Sequence, residues 1–293
     1  MILEGRLANR GLFDFLAAGA PAKVMAAFSG GIYLDFTGKT VMLHDLENGC
    51  IPYGIALENF AGKGKAIGLE QGMELYAKGN TLVCEDVGLV IKLFCEDMPH
   101  IRTESRCLAE FAKRVSKCSE LSVRSALSVY SACDLNSLSK ERIDDIFAKA
   151  AYKGISQLCD AMGSQRPETM ETALERLIGL GRGLTPSMDD FICGMLFVMH
   201  YSRRMWGAKL PWLEELSSAV MRIAPRKTNP FSAAYLVSAA AGEDFSVLRM
   251  CIESACDESF DSKLSRLFKI GSSSGADMLC GMSFAANYIM QQR

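Results

Sequence analysis

Two nine-residue segments of this chain, Ser187–Met195 (SMDDFICGM) and Ser274–Met282 (SGADMLCGM), follow one pattern: Ser, two residues, Asp, two apolar residues, Cys, Gly, Met. Each opens a run that is apolar on most faces. A helix of that kind has no solvent side and belongs at the centre of a bundle. The chain therefore has to place two related helices inside one core. A glycine-rich turn precedes each copy, with Gly179, Gly181 and Gly183 before the first and Gly271 before the second. Such starts combine backbone N–H groups, hydroxyls and carboxylates at the positive end of a helix, an arrangement that suits a phosphate or carboxylate ligand.

A plain capping explanation competes with a site. Ser-x-x-Asp approximates a capping box, and Pro186 at a first helical position would make Thr185 the N-cap. Capping explains neither three glycines between Gly179 and Gly183 nor the additional carboxylate of Asp189. The two starts are therefore read as a candidate site.

Around residue 100 the sequence changes character. Before it, short β-rich segments alternate with glycine turns: Lys23–Phe28, Gly31–Phe36, Thr40–Asp45, Gly54–Leu57, Thr81–Val83 and Leu89–Phe94. Short strands with tight turns imply a small antiparallel sheet or barrel. Gly62 to Gly79 is glycine-spaced but lacks the order of a phosphate-binding loop, and is read as loops and a hairpin. After residue 100 the apolar period is helical, with helices expected over Glu104–Cys118, Lys140–Met162, Pro167–Leu180, Pro186–Trp206, Pro211–Ile223, Pro230–Ala241, Ser246–Cys256, Ser262–Lys269 and Gly275–Gln292. The expected fold class is α+β: a β-rich domain over 1–100, then a larger all-helical domain over 101–293 that carries the glycine-rich motifs.

Composition narrows the function classes. A net charge of −2 without a long Lys/Arg block gives no reason to expect nucleic acid. The longest apolar stretch, Phe191 to Met199, is too short to span a bilayer. The first residues lack the apolar core of a signal peptide. Eleven cysteines are scattered, with no CxxC pair. The expectation is a reduced, cytoplasmic chain with neither nucleic-acid nor membrane partners.

Three blocks, GLGRGLTPSMDDFICG, KTNPFSAAYLVSAAAGE (Lys227 to Glu243) and KIGSSSGADMLCG (Lys269 to Gly281), resemble the signature blocks of one bacterial family long listed as a domain of unknown function. GIYLDFTGKTVMLHD and CIPYGIAL follow the same family more loosely. One branch of that family is associated with oxamate carbamoyltransferase of allantoin degradation, which phosphorolyses oxalurate to oxamate and carbamoyl phosphate. The resemblance implies a transferase, or one subunit of it, working beside a subunit similar to acyl-CoA synthetases and a further partner subunit. The family usually carries Gly where this chain has Met188, and Pro or another small residue where it has Arg182.

Small anions of this kind call for aligned donors and a cation. Gly181, Gly183 and Gly275 offer backbone N–H groups, and Thr185, Ser187, Thr228, Ser273 and Ser274 offer hydroxyls. Arg182, Arg226, Lys227 and Lys269 are candidate cations. Asp190 and Asp277, which align in the repeat, would orient hydroxyls or carry a proton. No cofactor is firmly expected and no metal ligand is assigned. Two other classes stay open. In a metal-dependent hydrolase, Asp190 and Asp277 would share Mg²⁺; in a non-catalytic assembly subunit, the glycines would serve packing alone. Of the histidines, His200 is expected to be a core residue.

Overall fold

Apolar–polar alternation in the first hundred residues closes into a barrel. In the computed structural model, which describes residues 1–7, 10–28, 30–49, 51–58, 60, 67–95, 103–134, 143 and 145–292, contacts group the chain into two units. These are Met1–His100 with Asp244–Val247, and Ile101–Glu243 with Leu248–Arg293. The first unit holds strands β1 (Ile2–Leu7), β2 (Pro21–Phe28), β3 (Gly31–Phe36), β4 (Lys39–Asp45), β5 (Gly54–Leu57), β6 (Glu74–Lys78), β7 (Thr81–Cys84) and β8 (Leu89–Cys95), with helix α1 (Arg10–Ala17) after β1. The strands close in the order β1-β5-β4-β3-β2-β6-β7-β8.

Closure is by mixed pairing rather than by antiparallel neighbours alone. β1 runs parallel to β8, with Ile2 opposite Val90 and Leu7 opposite Cys95, and β4 runs parallel to β5. The β3–β4 hairpin turns through Thr37 and Gly38, both at positive φ, as a two-residue hairpin of right-handed twist requires. Inward side chains such as Val24, Leu34, Phe36, Leu43, Ile55, Leu82 and Ile91 fill the interior together with Leu12 and Leu16 of α1.

β1, β6 and α1 were not foreseen as separate elements. β1 is specified by partners about fifty and ninety residues away, a pairing that leaves no local mark. β6 and β7 form a hairpin across Gly79-Asn80, so the end of the stretch read as loops and a hairpin is a strand that pairs with the one after it; residues 61–66 of that stretch lie outside the described ones.

The second unit is helical: α2 (Arg106–Ser116), α3 (Ser119–Arg124), a 3-10 turn at Ala126–Tyr130, α4 (Ile146–Ser164), α5 (Pro167–Leu177), α6 (Ser187–Trp206), α7 (Leu213–Lys227), α8 (Pro230–Ala240), α9 (Ser246–Glu253), α10 (Phe260–Leu267) and α11 (Ser274–Gln291). The short helix α3 was not expected. α4 starts at Ile146, where the Asp145 side chain accepts from the Ala148 N–H; residues 140–142 and 144 of the expected helix lie outside the described ones. α7 continues through Pro225 to Lys227. Proline costs one intrahelical hydrogen bond there, but with two residues of helix left it ends nothing early.

The two helices that carry the repeat are the core. Every residue of α6 from Met188 to Ser202 is buried, and so is α11 from Gly275 to Ile289 except Asn287. α6 and α11 pack on each other, α7 and α8 pack on α6's side, and α2 packs on α11.

Candidate active site

Matched glycines bring the repeat copies together. A Cβ built on Gly194 would stand 2.1 Å from the carbonyl oxygen of Met278, and one on Gly281 would stand 1.9 Å from that of Phe191. Gly194 matches Gly281 in the repeat, and Phe191 matches Met278. Each helix thus sets its glycine on the equivalent backbone of the other, and the crossing has local two-fold character.

The polar groups ahead of the crossing obey the same exchange. Asp190, in α6, faces the Ser274 hydroxyl of α11, and Asp277, in α11, faces the Ser187 hydroxyl of α6. Thr185 Oγ1 donates to Asp190 Oδ2 at 2.9 Å and lies 2.8 Å from Ser274 Oγ. On the other side, Ser125 Oγ donates to Asp277 Oδ1 at 2.5 Å. No hydrogen bond reaches Asp277 Oδ2 although it is buried; the hydroxyls of Ser187 and Ser273 favour the charged carboxylate from nearby. Neither helix start uses a side-chain cap: Pro186 and Ser273 occupy the N-cap positions without one. The hydroxyls that a capping box would spend on backbone are turned to the carboxylates.

Electrostatics separates the three acids. Burial raises Asp190 well above the usual carboxylate value of 3.8, against the pull of the Thr185 and Ser274 hydroxyls, and the charges of Asp277 and Asp189 push it further up. Burial also raises Asp277, opposed by Ser125, Ser187 and Ser273. Asp189 is raised by burial too, but it is saturated. Its Oδ1 accepts from the Gly179 N–H at 2.7 Å, and its Oδ2 accepts from Thr228 Oγ1 and Ser232 Oγ, each at 2.6 Å. Asp189 is a structural pin that ties the glycine loop to the start of α8. Thr228, which the sequence suggested as an anion contact, spends its hydroxyl on this pin.

The loop itself is shaped for donors. Gly179 (φ +82) has no room for a side chain against the Lys227 carbonyl, at 2.4 Å from its would-be Cβ, and Gly181 (φ +133) is equally tight against the Ser187 nitrogen at 2.5 Å. Asn229 caps α8 through the N–H groups of Phe231 and Ser232 and holds the loop by donating to the Leu184 carbonyl at 2.7 Å. Among the described residues, nothing accepts a hydrogen bond from the backbone N–H of Gly181, Arg182, Gly183, Leu184 or Thr185. The helix starts are different. Met188 donates to Leu180, Asp189 and Asp190 donate to Pro186, and Gly275 donates to Ile270. The Gly275 N–H expected at a ligand is thus already engaged by the Ile270 carbonyl, and the Leu267 carbonyl, 1.8 Å from a Cβ built on Gly275, closes the other side. The donors belong to the loop.

The candidate cations lie at the periphery. Arg182 and Lys269 are exposed. Arg226 pairs with Glu175, and Lys227 reaches the same carboxylate at 3.7 Å. Ser125 and Ser232 were missed in sequence: Ser125 lies 152 residues from Asp277 and belongs to no motif. His200 is a core residue, with its Nε2 2.9 Å from Ser217 Oγ and burial lowering its pKa to about 4. His44 is buried in the barrel unit and also lowered to about 4, while His100 lies outside the described residues. Among the described residues, no group of three or more His, Cys, Asp or Glu side chains gathers in metal-ligand fashion, and no helix is long and apolar enough to cross a membrane.

Glycine loop, Asp pin, α8 cap and paired helix starts all fall between Ile178 and Asp277, which is where comparison with known families places a relationship. Residues 177–286 match the family model of the oxamate carbamoyltransferase subunit AllH. The matched segment contains every site residue above except Ser125. It ends before the last turns of α11 and excludes the barrel. No curated protein and no solved structure matches the chain.

Ser125→Ala tests the coupling of the matched segment to the helices before it. Leaving Asp277 Oδ1 without its donor is expected to cost about 1–3 kcal/mol at neutral pH, measured by urea unfolding.

Proposed function

We propose that the loop Gly181–Thr185 and the paired starts of α6 and α11 bind a small anionic substrate, and that Asp190 and Asp277 move its proton. The chain then acts as a subunit of, or an enzyme related to, oxamate carbamoyltransferase. The observation that carries this reading is the reciprocal Asp–hydroxyl arrangement beside five consecutive uncommitted backbone donors. Two nearby buried carboxylates with mutual repulsion titrate as a pair, so one proton is retained while the other is lost. Asp190, pushed up by burial and by the charge of Asp277, is assigned that proton in this reading.

In phosphorolysis of oxalurate, a phosphate oxygen bonds to the carbamoyl carbon and the bond from that carbon to the oxamate nitrogen breaks. The departing nitrogen needs a proton, which Asp190 supplies as the acid. Loop N–H groups and the Thr185, Ser187, Ser273 and Ser274 hydroxyls hold the anionic ends, and Arg182 closes over them from the exposed side. Fixed donors of this sort stabilise developing charge without a covalent nucleophile. Turnover in this reading requires the acyl-CoA-synthetase-like subunit and the further partner subunit.

The test is a thermal-shift series on the purified chain with phosphate, carbamoyl phosphate, oxamate, oxalurate and Mg²⁺. At about 100 times its Kd a ligand stabilises by about 2.7 kcal/mol, a rise of several degrees. The expected result is a shift with carbamoyl phosphate or oxamate that Ser274→Ala and Arg182→Ala each diminish. A shift with Mg²⁺ alone overturns the reading in favour of a metal-dependent hydrolase. The absence of any shift, together with no phosphate-dependent turnover in the presence of the partner subunits, overturns it in favour of an assembly role.

A further inference from the structure

Cys107 and Cys256, separated by 149 positions in sequence, have their sulfurs 2.9 Å apart. Cys107 sits in the first turn of α2 and is 6% exposed, while Cys256 is exposed in the turn that follows α9. Two sulfurs this close have only about 0.9 Å to travel to reach the bonded distance of about 2.05 Å. The chain around Cys256 belongs to turns between α9 and α10, so the movement falls on a segment without a helix to bend. The same surface forms a cleft lined by Arg106, Glu110, Arg114, Ala255 and Cys256. Arg114 fixes the far wall by donating to the carbonyls of Ala255 and Asp257 and to Asp261. The arrangement is an open thiol in a cleft with two arginines, backed by a buried thiol in contact with it.

We propose that Cys107 and Cys256 are a reversible disulfide site, oxidised by peroxide. The exposed Cys256 thiolate attacks one peroxide oxygen, the O–O bond breaks, and hydroxide leaves as Cys256 becomes a sulfenic acid. The buried Cys107 sulfur then attacks the Cys256 sulfur. The S–O bond breaks, and the hydroxyl departs as water with the Cys107 proton. Two electrons pass from the thiol pair to peroxide, which ends as two waters. Reduction by a dithiol reverses the bond. The asymmetry assigns the roles: the accessible cysteine meets the oxidant and the buried one resolves it, consistent with the thiol of Cys107 being held protonated, at about 11, chiefly by burial. Because α2 packs on α11, the bond staples the region after α9 to a helix that lies against α11.

The experiment treats the full chain with hydrogen peroxide, alkylates the remaining thiols, digests without reductant and identifies linked peptides by mass. The expected product is a Cys107–Cys256 link that dithiothreitol dissolves, with a rise in Tm of about 5 °C from closing so long a loop. Cys107→Ser is expected to leave Cys256 as a sulfenic acid that dimedone traps. Recovery of both cysteines in alkylated form after peroxide overturns the proposal. So does a link confined to Cys133 and Cys159, a second pair of thiols in contact, or dimedone labelling of Cys256 that is as strong in the unmodified chain as in the Cys107→Ser variant.

Discussion

Gly281→Ala is expected to destabilise the helical unit by about 3 kcal/mol. The added methyl would stand 1.9 Å from the Phe191 oxygen, 2.7 Å from its carbonyl carbon and 3.0 Å from the Met195 nitrogen. All three are backbone atoms, so no rotamer change relieves the contact. α6 and α11 would have to separate, and with them a seam in which nearly every residue is buried. Urea unfolding measures the loss. Gly163→Ala supplies the contrast, since that glycine is also helical but nothing lies within 4 Å of its would-be Cβ. There the substitution is expected to stabilise by about 0.5–1 kcal/mol through helix propensity. A Gly281→Ala variant as stable as the parent would mean that the helices do not cross at the matched glycines.

Asp190→Asn is expected to reduce phosphate-dependent turnover by about 100-fold or more if the carboxyl carries the proton, while raising stability at neutral and alkaline pH. The sign follows from burial. The folded carboxyl has a pKa above its unfolded value near 3.8, so the folded state binds the proton more tightly. The stability this contributes is complete below the unfolded pKa and is lost as pH rises through the folded one. The slope is at most about 1.4 kcal/mol per pH unit for one group. Asparagine has no charge to desolvate, so its Tm advantage over the parent is expected to widen from pH 4 to pH 8. A variant that loses ground as pH rises would show instead that ionised Asp190 holds the helix starts together, and would remove it as the acid.

Separating Asp189 from Asp190 needed coordinates. In sequence the two are adjacent and chemically identical, and on a helix they point about 100° apart. The tertiary fold gives one of them three donors from the loop and α8 and gives the other the hydroxyls of the opposite helix start. The alignment of the repeat nevertheless marked Asp190 and Asp277 as the related pair, and those are the carboxylates that face each other's serines. The helix N–H groups were less legible. An N-terminus reads as a row of free donors, but at α6 and α11 the preceding turns supply carbonyls, and the uncommitted donors move back into the glycine loop.

The sequence by itself determined the division into a β-rich part and a helical part, the two apolar helices at the centre, and the loop glycines that exclude side chains. All of these are local properties, set by residue spacing and by the absence of a Cβ. Only tertiary structure decided that the β segments close into a barrel through β1 and β8, that Ser125 supports Asp277, and that Cys107 meets Cys256. Each joins residues roughly ninety to one hundred and fifty positions apart. Such contacts are favourable only once the whole core has brought the chain together, so no single segment carries their signature.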